Sequence, residues 1–162
     1  MIVLGIDPGS AVTGYGIVRR TGPAQTDVSL VECGVIRTSP NDPLPNRLLE
    51  IHDGVRDLIA RHHPLAVAVE GVFYARNVRT TVILGHARGV VLLAAAQAGL
   101  PVHEYPPSEI KKAVTGAGSA SKEQVQFMVM RLLRLKTPPS PSDAADGVAA
   151  ALTYCLGAPV LA

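Results

Sequence analysis

Ile2-Val3-Leu4-Gly5-Ile6-Asp7-Pro8-Gly9 is a short apolar run that stops at a carboxylate and a Pro-Gly turn. A run of this length bounded by turn residues reads as a buried strand with an acid at its carboxyl end. A second run, Leu65-Ala66-Val67-Ala68-Val69-Glu70, follows the helix-stopping Pro64 and also ends in an acid. Continuous apolar strands belong to sheets covered on both faces. If the two strands are adjacent and parallel, Asp7 and Glu70 lie at the same end of the sheet, where open α/β sheets gather their ligands.

Between these runs, residues 14–20 and 28–38 continue as strands of an antiparallel meander, broken at Asn41-Asp42-Pro43. Residues 44–61 repeat apolar side chains at Leu48, Ile51, Val55, Leu58 and Ile59, the period of a helix. Residues 73–79 read as a loop, residues 82–98 as a largely apolar helix stopped by Gly99 and Pro101, and residues 102–105 as another strand. Ser108 and Ser121 open two helices, and Gln124 stands in capping-box spacing to Ser121. The segment 138–141 is a stiff, proline-rich link to a last helix, capped by Ser142 and ending near Gly157. This order predicts an α/β domain with a five-stranded mixed sheet, antiparallel on one side, parallel on the other, and flanked by helices on both faces.

A chain of 162 residues suits a single domain spanning 1–162. Hydrophobic residues make up 48% and aromatics 4%, so the core must be built from Val, Leu, Ile and Ala. Cys33 and Cys155 stand far apart with no metal-ligand spacing, which reads as free thiols in a reducing compartment. No basic segment precedes the first apolar run, so no secretory signal is expected. The uncharged stretch at residues 89–102 is too short for a bilayer and reads as a buried helix. The expectation is a cytoplasmic protein with no membrane association. Charge is unevenly spread: residues 1–70 carry six Lys/Arg against eight Asp/Glu, and residues 71–162 carry nine against five. The basic half suits a phosphate-bearing partner, although solvated helix faces give the same pattern.

Four acids stand where chemistry is expected. Asp7 and Glu70 end strands, and Asp143 and Asp146, three apart at the start of the last helix, share one face. Crowded carboxylates repel, and hard divalent cations such as Mg²⁺ relieve that repulsion. Two such ions about 3.5–4 Å apart activate a water and stabilise a leaving oxygen, the chemistry of phosphodiester cleavage. Each acid also has a plain reading: a turn for Asp7, a helix start for Asp143, an idle surface position for Asp146. Glu70 is hardest to explain so, because it ends a strand that is otherwise wholly apolar.

GIDPGSAVTGYG (residues 5–16), EGVFYARNVRTTVILGHARG (70–89), KKAVTGAGSASKEQV (111–125) and SDAADGVAAALTYC (142–155) together resemble the RuvC crossover-junction endodeoxyribonucleases, in order and over nearly the whole chain. The resemblance implies an RNase H-like fold and Mg²⁺-dependent, symmetric nicking of Holliday junctions in recombination and repair, with a preference for certain sequences at the cut; the carboxylate chemistry adds two Mg²⁺ per site, with Mn²⁺ a candidate substitute. It implies a homodimer that works beside a branch-migration motor. It makes Asp7, Glu70, Asp143 and Asp146 the catalytic, metal-binding carboxylates, with Asp143 at a position where some members carry His. Phe73 matches an aromatic that stacks on a base at the junction, and Lys111 and Lys122 match basic residues near the scissile strand.

The other residues agree with a DNA substrate. Phe73 and Tyr74 sit beside Arg76 and Asn77, a grouping suited to unstacked bases and phosphates, unless the rings fold into the core. Lys122 lies in the first turn of a helix, where phosphate is also attracted. His86 and His103 read as structural. Symmetric cuts need two carboxylate sets, and the apolar helix at 82–98 is the expected surface for a twofold pair. Three alternatives compete: an actin-like ATP-binding module, for which the chain is too short; a non-catalytic junction binder, which would lack a carboxylate; and a nuclease for RNA–DNA hybrids, which shares the metal site.

Overall fold

The computed structural model describes residues 1–71 and 77–157. Its elements run β1 (Ile2–Asp7), β2 (Val12–Arg20), β3 (Val28–Arg37), α1 (Leu44–His62), β4 (Ala66–Glu70), α2 (Val78–Gln97), β5 (Val102–Tyr105), α3 (Pro107–Thr115), α4 (Lys122–Leu132) and α5 (Ser142–Gly157). The sheet order is β3-β2-β1-β4-β5. The β1–β2 and β2–β3 pairs are antiparallel, and β1–β4 and β4–β5 are parallel, the mixture expected from the sequence.

Strand side chains alternate between faces, and the core divides accordingly. Leu4, Ile6, Val67 and Val69 pack against Ile51, Val55 and Leu58 of α1 and Ala87, Val91, Ala94 and Ala95 of α2. Val3, Val18 and Ala68 pack against Ile110 of α3, Val125 and Val129 of α4, and Val148 and Leu152 of α5. Each fully buried Val, Leu or Ile contributes about 1.5–3 kcal/mol. The same alternation places the acids. Asp7 is in step with Val3, and Glu70 with Ala68, so both face the α5 side of the sheet.

Helix α5 lies on β1 and β2 backbone to backbone. A Cβ on Gly5 would stand 2.1 Å from the Gly147 carbonyl oxygen and 2.4 Å from the Ala151 nitrogen. One on Gly14 would stand 1.7 Å from the Asp143 carbonyl oxygen. The helix answers with Gly147, whose own Cβ would meet the Tyr15 Cα at 2.6 Å. Alanines fill most of the remaining contact, and ten residues of α5 are buried.

The structure corrects the reading of residues 73–79 as a loop. Helix α2 starts at Val78, because Asn77 takes an extended conformation and its Oδ1 accepts a hydrogen bond from the Thr80 amide at 2.8 Å. The added turn, residues 78–81, has no buried residue, with Val78 80% exposed, so no buried period announced it. At 20 residues, α2 is long and apolar enough to cross a bilayer, longer than the uncharged stretch alone. Here its inner face packs into the core, and Arg88 pairs with Glu104 of β5. Two other starts shift. β2 begins at Val12 rather than Gly14, and α3 begins at Pro107 rather than at a Ser108 cap, since proline suits the first helical position. The capping box of α4 is complete: the Gln124 amide donates to Ser121 Oγ (3.1 Å) and the Ser121 amide to Gln124 Oε1 (2.8 Å).

The close contact generates a prediction. Gly5→Ala should push α5 off the sheet and destabilise the protein by about 1–3 kcal/mol or more. An unchanged thermal midpoint for Gly5→Ala would show that the helix does not rest on β1 in this way.

Candidate active site

Three elements deliver the carboxylates to one place. β1 and β4 are adjacent and parallel, with Ile6 level with Val69, so their carboxyl ends meet at Asp7 and Glu70. The first turn of α5 crosses that end, brought close by the Gly14 contact at Asp143. As a result, carboxylate oxygens of Asp7, Asp143 and Asp146 lie within 4.8 Å of one another. Glu70 stands beside Asp7 on the wall of the same cavity, and each raises the cost of charging the site. A cavity of about 310 Å³ opens here, lined by Asp7, Glu70, Asp146, Lys111 and Lys122, with Ile110 and Val125 among its apolar walls. Lys122 Nζ donates to Asp146 Oδ2 at 3.3 Å.

A further residue holds the site and was not singled out from sequence. Thr13 is fully buried, and its Oγ1 donates to the Gly9 carbonyl (2.8 Å) while accepting from the Gly9 amide (3.3 Å). It closes the turn that follows Asp7 and so fixes where that carboxylate points. The only sequence signal was a polar residue between Val12 and Gly14 in a strand.

Burial and mutual repulsion govern the charges. Desolvation raises the pKa of Asp7 far above the carboxylate range, and the charges of Glu70 and Asp146 push it further. Glu70 is also raised, chiefly by burial and by Asp146, while its bond from Asp7 and the charges of Lys122 and Lys111 pull the other way. Without a cation, then, both Asp7 and Glu70 resist ionisation. Burial raises Asp146 as well, opposed by Lys122. On Lys122, burial disfavours the charge, but Asp146, Asp143 and Asp7 outweigh it and hold the ammonium protonated.

The donor set is all oxygen and all acidic, which fits a hard divalent cation and not a soft one. All four predicted carboxylates and both predicted lysines converge at this site. Among the described residues, Asn77 is not part of the cavity wall; its side chain caps α2. Phe73, Tyr74 and Arg76 lie outside the described residues. His103 packs on Tyr154 with ring centroids 4.8 Å apart, the structural role expected for it.

Raised carboxyl pKa values mean that ionisation opposes folding. Stability from the protonated pair is present below the ordinary carboxyl range, about pH 4, and is lost as pH rises through the raised folded value. In chelator at about pH 9, Asp7→Asn should therefore melt above the parent, by about 2–4 °C for each kcal/mol of repulsion relieved. At about pH 5 the gap should close. A parent as stable as Asp7→Asn in alkaline chelator would contradict this account.

Comparison with known proteins supports one family. Residues 3–154 match the family model described as Crossover junction endodeoxyribonuclease RuvC. A crossover junction endodeoxyribonuclease RuvC of Pelotomaculum thermopropionicum is 48% identical over 154 residues, covering 95% of this chain and 92% of that protein. The structure of Thermus thermophilus RuvC in complex with a Holliday junction substrate superposes with a TM-score of 0.91 at 42% identity, over 96% of this chain and 93% of the other. The yeast mitochondrial Holliday junction resolvase shares the fold at 13% identity, with a TM-score of 0.68 over 95% of this chain and 77% of the other. The sheet order, the four carboxylates and these matches have one reading: the chain has an RNase H-like fold and belongs to the RuvC family of crossover junction endodeoxyribonucleases.

Proposed function

We propose that this protein resolves four-way DNA junctions by paired, symmetric nicks, in homologous recombination and DNA repair. The observation that carries the reading is the convergence of Asp7, Asp143 and Asp146 within 4.8 Å, with Glu70 and two lysines on the wall of the same cavity. Asp7, Glu70, Asp143 and Asp146 would hold two Mg²⁺ ions, with Mn²⁺ as a substitute, and these would activate water and stabilise the leaving oxygen. The chain's own part is to place and balance charge. Lys111 and Lys122 attract the scissile phosphate to the acidic pocket, which would otherwise repel it. Lys122, at the start of α4, adds its charge to the helix N-terminus, which also favours phosphate. The ion pair with Asp146 limits the swing of its long side chain.

Two opposed strands must be cut to separate a junction into duplexes, and a homodimer supplies the second site. The exposed positions Val78, Val82 and Leu93 follow one outward stripe of α2, opposite the positions packed in the core, and a partner's α2 is the cover we propose. Phe73, Tyr74 and Arg76 remain our assignment for contact with opened bases and phosphates at the crossover, with Asn77 beside them. Work beside a branch-migration motor, in the cytoplasm, completes the proposal; Cys33 and Cys155 are both free thiols, as a reducing compartment favours.

Asp7→Asn, Glu70→Gln, Asp143→Asn and Asp146→Asn should each abolish nicking of a synthetic mobile junction in Mg²⁺ while leaving junction binding largely intact. Normal nicking by any one of them removes that residue from the site, and cleavage confined to an RNA–DNA hybrid control refutes the proposed substrate. Lys122→Ala should slow cleavage and lower the slope of log affinity against log salt by about one. An unchanged slope and rate would leave Lys122 without a phosphate contact. Sedimentation as a monomer, with paired nicking intact, would sink the dimer.

A further inference from the structure

Phe127 is one of two phenylalanines in a chain with few aromatics, yet it takes no place in the core. It is 53% exposed on α4. Its ring borders a groove of about 440 Å³, floored by Thr115, Ala117 and Ala120 of the α3–α4 connection and by Met128. Arg131, one turn further along, lies over the ring with its guanidinium carbon 6.0 Å from the centroid. A flat ring beside an open groove, with a cation over one face and the other free, is the combination that receives an unstacked base and its phosphate.

The place of the groove says which nucleic acid it would meet. The first turn of α4 separates the groove from the carboxylate cavity. Lys122 and Val125 line the cavity on one side, and Glu123, Gln124 and Phe127 line the groove on the other. Likewise α3 gives Lys111 to the cavity and Thr115 to the groove. Phe127 is five positions past Lys122, about 7–8 Å along the helix axis. That is about two steps of a DNA strand at 3.4 Å each. Charge runs in the same direction: Arg131 follows on α4, and Arg134 and Lys136 come after it. Arg134 also donates to the Thr26 carbonyl at 3.2 Å. Glu123 is the one acid on the groove, and it sits in the first turn of α4, where the helix dipole favours it.

We propose that this groove is a base-holding subsite for the cleaved strand: a nucleotide about two steps from the cut leaves its stack, its base lies on Phe127, and Arg131 meets its phosphate. This rests on the junction-cleaving reading above and adds to it a residue that selects which strand geometry, and which base, the enzyme cuts beside.

The test uses the full-length protein and synthetic junctions carrying 2-aminopurine at successive positions flanking the cut. Wild-type protein should raise 2-aminopurine fluorescence on binding at one of these positions, about two nucleotides from the cut. Phe127→Ala should lose that signal, weaken junction binding about fivefold or more, and flatten the preference for one base there. Phe127→Tyr should retain all three. Arg131→Ala should reduce the salt slope by about one. Thermal midpoints equal to the parent's would show that the exposed ring is not structural. If wild type cuts and Phe127→Ala matches it in signal, affinity and cut positions, the subsite is overturned and the junction reading stands. A Phe127 surface kept for another protein would give that same result. If wild type itself does not cut, both fall.

Discussion

The contact between the backbone of α5 and the backbones of β1 and β2 is the constraint on which the site depends. Ordinary side chains would hold a helix about 10 Å from a sheet, too far for Asp143 and Asp146 to share oxygens' space with Asp7. Gly5, Gly14 and Gly147 remove the intervening side chains, and alanines keep the rest of the interface thin. The closeness of the carboxylate group, within 4.8 Å, follows from that thinness. The sheet contributes the other half. Parallel pairing of β1 with β4 brings two strand ends level, and the period-two alternation turns both acids toward the helix.

A cluster built this way is not at rest. Burial raises Asp7, Glu70 and Asp146 together, and each charge opposes its neighbours. The ammonium of Lys122 lowers the cost, and it stands where a phosphate is proposed to act. The fold therefore holds repulsion at the site and compensates for it with the two apolar half-cores. Such local conflict between stability and arrangement is characteristic of functional sites.

Much of this was legible in the chain, for identifiable reasons. Apolar runs ending in acids gave β1 and β4 and the place of Asp7 and Glu70. The spacing of Asp143 and Asp146 gave a shared helix face, and the capping box of Ser121 and Gln124 gave the start of α4. What was not legible involved partners distant in sequence or faces without burial. The first turn of α2 shows no core period, since Val78 and Val82 are exposed, and Asn77 was read for its chemistry rather than its cap. Thr13 gains its meaning only from the turn it ties to Gly9. No local pattern tells that Gly5 and Gly147, so far apart along the chain, face each other.

A helix faced with alanine is a smooth rod, and a smooth rod on a flat sheet has little to stop it from sliding. The seat of Gly147 against Tyr15 acts as a detent. A slip of one residue would move the first turn of α5 by about 1.5 Å and turn it by about 100°. Asp143 and Asp146 would then look away from Asp7 although every alanine still found a buried place. The pockets filled by Val148 and Leu152 oppose such a slip, and the notch adds to them at the end of the helix that carries the acids. Worth little in buried area, the notch helps to set the phase of the catalytic helix.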